Sequence, residues 1–196
     1  MPKIGVLALQ GAFREHAEAF DALGADVVLI KHAEQFASID AIVLPGGEST
    51  TQAKLLDTFA MRAPLADALA AGLGCFATCA GLILLATEVL DGRADQVPLG
   101  LLDVAVRRNG YGRQVMSFES ALEIEGLHAP FTGVFIRAPR LVRVGDSVEV
   151  LARHDTHPVL VRRGRIWAAG FHPELADDLR LHQLFLHALT REDANL

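Results

Sequence analysis

Cysteine is scarce in this chain: two residues, Cys75 and Cys79, in a length of 196. A disulfide-stapled secreted fold needs more cysteines in a shorter chain. Their four-residue spacing also does not match the CxxC arrangement of redox or zinc sites, so the composition fits a reducing cytoplasm. Long apolar runs are missing as well. The run from Leu82 to Ala86 stops at Thr87-Glu88, far short of the roughly 18 consecutive apolar residues a membrane helix needs. The opening MPKIGVLALQG lacks the longer apolar core and the cleavage site of a secretory signal. Positive charge is in deficit, with 18 Lys and Arg against 24 Asp and Glu and a net charge of −6. A phosphate-binding surface gathers Lys and Arg, so nucleic acid is not an expected partner. No GxxxxGK[ST] stretch and no HExxH pair occurs, so neither a nucleotide P-loop nor a zincin-type metal site is expected.

What is present is an ordinary globular composition, 51% hydrophobic and 21% charged. That supports one domain spanning 1–196 with a sizeable core. The first half alternates apolar strands with helical patterns. Strands are expected at Ile4–Leu9, Asp26–Ile30, Ala41–Leu44 and Gly74–Thr78. Helices are expected over Ala12–Leu23, from Glu48 onward, over Pro64–Ala71 and from Ala80 to Leu85. Strands apolar throughout and separated by helices predict a parallel sheet covered on both faces. The second half reads as strands with partial alternation: Leu101–Arg107, Ser117–Ile124, Gly133–Ile136, Val148–Arg153, Val159–Arg163 and Ile166–Phe171. Arg163-Gly164 is a hairpin signal. A last helix is expected over Asp177–Leu189, and the tail from Thr190 is expected to fray. The fold class is therefore α/β, a mostly parallel central sheet with added antiparallel strands.

Ligands of such sheets bind at the carboxyl ends of the strands. Here those ends are Gln10-Gly11, Pro45–Ser49 and Thr78–Gly81. The segment GCFATCAGL (74–82) runs strand, sharp turn, helix, with small residues Ala77, Ala80 and Gly81 around Cys79. That is the pattern of a nucleophile elbow. A cysteine at the start of a helix gains from its orphan N–H groups and dipole, and the N–H of Ala80 would point at a developing oxyanion. The bland alternative is a buried cysteine acting as a small hydrophobe; Cys75, inside the strand, is read that way. A cysteine nucleophile needs a base, and the base needs a partner to fix its tautomer. Phe171-His172-Pro173-Glu174 follows an apolar strand and supplies both. His16, His182 and His187 fall on helical patterns and are read as surface or packing residues. His154 and His157 flank Asp155 in what reads as a solvated loop. Pro45-Gly46-Gly47 can present backbone N–H groups to an anion, although a PGG turn is most often only a turn into a helix capped by Ser49 or Thr50.

Taken together, LALQGAFREH (7–16), PGGEST (45–50), TCAG (78–81), RNGYGRQ (108–114), FIRAP (135–139) and HPE (172–174) resemble the class I glutamine amidotransferases. Within that class they resemble the glutaminase subunits of pyridoxal 5′-phosphate synthase. The resemblance spans nearly the whole chain and implies a flavodoxin-like three-layer fold. It implies Cys79 as nucleophile, His172 as base and Glu174 as its orienter. It further implies that Gly47, Glu48 and Ser49 contact L-glutamine, that Arg108 and Ile136-Arg137 close the pocket, and that Gln10 lies near the oxyanion site and a partner surface. An Arg can hold the α-carboxylate of glutamine, and Glu48 suits its ammonium. No cofactor is implied. The implied partner is the synthase subunit that would receive ammonia. The family's elbow usually reads GTCAG; Ala77 replaces the first Gly here, and a slight repacking is the expected consequence.

Overall fold

The computed structural model describes residues 1–92, 97–110 and 117–193. Five strands form the parallel part of the main sheet: β1 (Lys3–Leu7), β2 (Asp26–Ile30), β3 (Ala41–Leu44), β4 (Gly74–Thr78) and β12 (Ile166–Ala169). Two antiparallel strands, β10 (Glu149–His154) and β11 (His157–Arg163), extend it, giving the order β10-β11-β12-β4-β3-β1-β2. Smaller sheets are built from β5 (Ala86–Val89), β6 (Leu102–Arg107) and β9 (Arg140–Val144), and from the hairpin β7 (Ser117–Leu122) and β8 (Phe131–Ile136).

The central strands are apolar on both sides because both sides are covered. On one face Ile4, Val6, Val43, Phe76 and Trp167 pack against Phe20 of α1 (Phe13–Ala22) and Leu181, Phe185 and Leu189 of α5 (Arg180–Asp193). On the other, Leu7, Ile42, Leu44, Cys75, Ala77 and Ala168 meet α2 (Ser49–Thr58), α3 (Arg62–Ala70) and α4 (Ala80–Leu85) through Leu56, Leu65, Leu69 and Leu82. Phe76 is the centre of the first layer, stacked on Phe185 at 5.2 Å between ring centroids and edge-on to Phe20 at 6.4 Å. Each fully buried Phe or Leu of this kind contributes about 1.5–3 kcal/mol. The period-two alternation along β4 also decides chemistry: Phe76 and Thr78 face α1, while Cys75 and Ala77 face α4. Cys75 is fully buried, and burial alone pushes its thiol far up.

The expected strands and helices are found, with shifted ends. The last helix starts at Arg180 because the Asp178 carboxylate accepts the Arg180 N–H at 3.0 Å and holds the preceding turn out of the helix. β5 and β9 go beyond the sequence reading. Ala86–Val89 follows the apolar helix without a Gly or Pro to mark the change, and Arg140–Val144 carries three charged or exposed positions on an outer strand. The supposed loop around Asp155 is a tight hairpin turn instead: β10 ends at His154 and β11 starts at His157. His154 is half-buried there, packing on Phe118 and Phe135 and bonding Ser120 Oγ at 3.1 Å. Tyr111 to Gln114 of the RNGYGRQ segment, and 194–196 of the tail expected to fray, lie outside the described residues.

Candidate active site

Three strand ends and one loop converge at the top of the sheet. β4 delivers Cys79 on a sharp turn, with φ 47° and ψ −100°. A non-glycine residue in the left-handed region is strained and persists only when its surroundings hold it. The holding contacts are visible. Cys79 N–H donates to Ala169 O at 2.8 Å. A Cβ at Gly81 would fall 2.2 Å from Leu44 O, so only glycine lets the first turn of α4 seat against β3. Ala77 is fully buried between Leu44 and Ala168 in register, and the turn forms with it in place.

His172 is set by its own backbone, whose N–H donates to Val134 O at 2.8 Å. Its Nδ1 lies 2.7 Å from Glu174 Oε1, and the short turn Pro173–Leu175 brings the carboxylate back onto the ring. The other edge of the ring is left for the Cys79 thiol, which lines the same cavity. Burial disfavours its charge, but the hydrogen bonds and charges of Cys79 and Glu174 outweigh that and push His172 up to about 10. The Glu174 side chain is fully buried. Burial would raise it, yet the polar edge of His16, the His172 hydrogen bond and the His172 charge hold it below the ordinary carboxylate range. The arrangement can therefore keep a proton on the imidazole beside an ionised carboxylate, the requirement for a cysteine–histidine pair.

In front of Cys79 lies a cavity of about 260 Å³ lined by Gln10, Gly47, Glu48, Ser49, Cys79, Ile83, Arg108, Asn109, Ile136, Arg137 and His172. The strand-end loops around it are laced together. Gln10 Oε1 accepts the Glu48 N–H at 3.0 Å, and Gln52 Nε2 donates to both Pro45 O and Gln10 O. Glu48 caps α2, its carboxylate accepting from Thr50 N, Thr51 N and Thr51 Oγ1, and Arg108 Nη2 donates to it at 2.8 Å. Burial opposes that ionisation, but the hydrogen bonds from Thr51 and Thr50 pull Glu48 down to about 2. The carboxylate is thus engaged by the helix cap and by Arg108. Arg137 also occupies the left-handed region, at φ 43°, so two strained residues border the same cavity.

The structure thus gathers Gln10, Gly47, Glu48, Ser49, Cys79, Arg108, Ile136, Arg137 and His172 around one cavity, with Glu174 behind His172 and Ala80 buried in the first turn of α4. Ile83 and Asn109 are further lining residues. Ile83 was legible only as an apolar helix position, and Asn109 lies beside Arg108 with no distinguishing pattern of its own. His16 and His182 take the packing alternative of the sequence reading, and not the surface one: both are fully buried, behind His172 and Glu174. The signal was the i, i+4 pairing of His16 with Phe20, which places both on the sheet-facing side of α1. Among the described residues no group of three or more His, Cys, Asp or Glu side chains is arranged to hold a metal ion, and no helix is long and apolar enough to cross a membrane.

Comparison with known proteins agrees with this geometry. Residues 6–191 match the SNO glutamine amidotransferase family. The chain is 53% identical over 189 residues to the pyridoxal 5′-phosphate synthase subunit PdxT of Frankia casuarinae, covering 96% of this chain and 95% of that protein. It is 51% identical over 186 residues to the PdxT of Bacillus pumilus, covering 95% and 94%. A solved glutamine amidotransferase superposes with a TM-score of 0.90 at 48% identity, over 95% of this chain and 98% of that one. The PurLQS structure from Thermotoga maritima shares the fold alone, with a TM-score of 0.71 at 18% identity over 96% and 99%. A family match across almost the whole length, joined to a strained cysteine backed by His172 and Glu174, means that this chain belongs to the SNO glutamine amidotransferase family.

Proposed function

We propose that the chain, acting as one glutaminase domain over 1–196, hydrolyses L-glutamine to L-glutamate and ammonia and passes the ammonia to a pyridoxal 5′-phosphate synthase subunit. The carrying observation is Cys79 on its positive-φ turn, sharing with His172, itself paired to Glu174, the cavity rimmed by Glu48, Arg108 and Arg137. The relation at about half identity to PdxT subunits supports the choice of partner. The two free thiols fit a cytoplasmic setting.

In the reaction the Cys79 thiolate attacks the side-chain amide carbon, and the oxygen becomes an anion facing the N–H groups of Gly47 and Ala80. One such donor is worth about 10²–10³ in rate. The His172 imidazolium gives its proton to the amide nitrogen, the C–N bond breaks, and ammonia leaves a glutamyl thioester. Neutral His172 then takes a proton from water, whose oxygen attacks the thioester carbon. The C–S bond breaks, glutamate departs, and the thiolate–imidazolium pair is restored. Glu174 stays ionised throughout and keeps the Nδ1–H of His172 in place. Arg108, at the cavity rim beside Glu48, and Arg137 suit the α-carboxylate. Ser49 and Glu48 suit the ammonium end. The test is glutamine-dependent ammonia release with and without the synthase subunit, with Cys79→Ala as the blank. Release that rises on adding the synthase is expected; equal release by Cys79→Ala would overturn the reading, and release indifferent to that partner would point to another acceptor.

A further inference from the structure

Behind the triad a second set of polar groups is sealed in the α1 face of the sheet. His16 Nε2 lies 3.0 Å from Thr78 Oγ1 and 3.3 Å from Glu174 Oε2, and His16 Nδ1 lies 3.1 Å from His182 Nε2. The Thr78 hydroxyl oxygen also accepts the Gly46 N–H at 2.9 Å. Glu174 Oε2 is fully buried and makes no regular hydrogen bond, which leaves His16 Nε2 as its polar neighbour. The rings are fixed by packing: His16 is edge-on to Phe76, and His182 lies between Phe20 and Phe76. One node thus joins the helix after the first strand, the loop at Gly46, the residue before the nucleophile, and the triad carboxylate.

Two proton arrangements of the neutral rings are possible at this node, and they differ in cost. If His16 carries its proton on Nδ1, a ring lone pair faces Glu174 Oε2. His182 must then be protonated on Nδ1, an atom buried with no partner. That arrangement leaves a buried N–H unpaired and sets a lone pair against a carboxylate oxygen, both of which are costly. If His16 carries its proton on Nε2, it donates to Thr78 Oγ1 and turns its positive edge toward Glu174 Oε2 at 3.3 Å, while Nδ1 accepts from His182 Nε2–H. The unpartnered His182 Nδ1 is then a lone pair in an apolar pocket, a smaller loss.

We propose that His16 is a positioning residue of the glutaminase reaction: a neutral imidazole, protonated on Nε2 and held by His182, that fixes Glu174 and Thr78 and so keeps the triad in register with the Gly46 loop. The proposal rests on the glutaminase reading of Cys79, His172 and Glu174. Burial holds both His16 and His182 below their ordinary range, His182 down to about 3, which favours the uncharged form of each ring. The other titratable groups facing this node are His172 and, through it, Cys79, with Glu15 on the exposed side of α1.

Two experiments test it. In the complex with the synthase subunit, His16→Leu should lower kcat for ammonia release by about 10–100-fold, comparable to loss of an outer partner of a metal-bound histidine. KM for glutamine should hold, and the acid limb of the kcat/KM profile should move to higher pH because Glu174 loses a neighbour that keeps it ionised. His16→Gln, whose amide N–H can take the place of Nε2–H, should restore most of the rate and return the acid limb. A lower rate with an unmoved acid limb and no recovery in His16→Gln would reduce His16 to packing and overturn the proposal. Because His16→Leu can fail to fold, the tautomer is also read on the full wild-type chain with isotope-labelled histidine and long-range proton–nitrogen NMR correlation. Neutral His16 and His182, both protonated on Nε2, are expected; His16 protonated on Nδ1 overturns the proposal whatever the activity. Neither outcome touches the glutaminase reading, which stands or falls with Cys79→Ala.

Discussion

Gly46→Ala isolates the placement of His172 from every other property of the site. Gly46 is outside the positive-φ region, so alanine meets no backbone penalty there. The effect is steric. A Cβ at this position would lie 2.3 Å from His172 Cε1 and 2.7 Å from Nδ1, against an ordinary carbon–carbon contact of about 3.5–4.0 Å. The loop cannot retreat easily, because Gly46 N–H is held by Thr78 Oγ1 and Gly46 O accepts the Ala12 N–H at 3.0 Å. The ring must therefore shift by about 1 Å, the scale of misplacement that costs about 10²-fold in rate. Crowding of this kind costs about 1–3 kcal/mol of stability, less than the about 5–15 kcal/mol that a typical domain has. The variant should fold, bind the synthase and release ammonia about a hundredfold more slowly, with KM for glutamine little changed. Steady-state ammonia release and a thermal melt on the same preparation measure both quantities. A kcat within about fivefold of wild type, in a protein melting at the wild-type temperature, would refute the claim that this contact fixes the ring, since a displaced base should cost far more.

Glu174→Gln keeps the shape behind His172 but removes the charge that fixes its tautomer; kcat should fall by as much as about 10⁴-fold, read by single-turnover ammonia release. Glu48→Ala removes the cap of α2 and should cost about 1 kcal/mol in denaturant unfolding. Because Glu48 is held below its ordinary 4.5 at about 2, that contribution is complete above 4.5 and disappears as pH falls through about 2. His172 has the opposite sign. Raised from 6.5 to about 10, its charge contributes stability that is complete below 6.5 and is lost as pH rises through about 10. Unfolding free energy measured across that window should decline in wild type and decline less in Cys79→Ala, where one of the groups raising His172 is gone.

The parallel core was legible in the sequence because its physics is local: Asp26–Ile30, Ala41–Leu44 and Gly74–Thr78 are short apolar runs bounded by polar or glycine residues, and they are found with those limits. The elbow was legible for a similar reason, since a cysteine among Ala77, Ala80 and Gly81 at a strand-to-helix junction has few other geometries. His16 and His182 were hidden because they lie 166 residues apart and acquire their meaning only when α1 and α5 pack side by side on β4. Their helical spacing announced a buried face but not what that face would meet. Glu48 was half legible. Its position in PGGEST marked the cavity, but the capping of α2 and the pairing with Arg108 depend on a contact spanning 60 residues. β5 escaped because nothing in Leu84-Leu85-Ala86-Thr87 separates the end of a helix from the start of a strand.

The central claim is that Cys79, and not the deeper Cys75, attacks the glutamine amide. The direct measurement is to treat the chain in complex with the synthase subunit with a glutamine-like diazoketone and map the adduct by peptide mass. The account predicts one adduct, on Cys79, blocked by excess glutamine and abolished in Glu174→Gln at matched exposure times, with Cys75 unmodified. An adduct on Cys75, or labelling of Cys79 that glutamine does not protect, would contradict it.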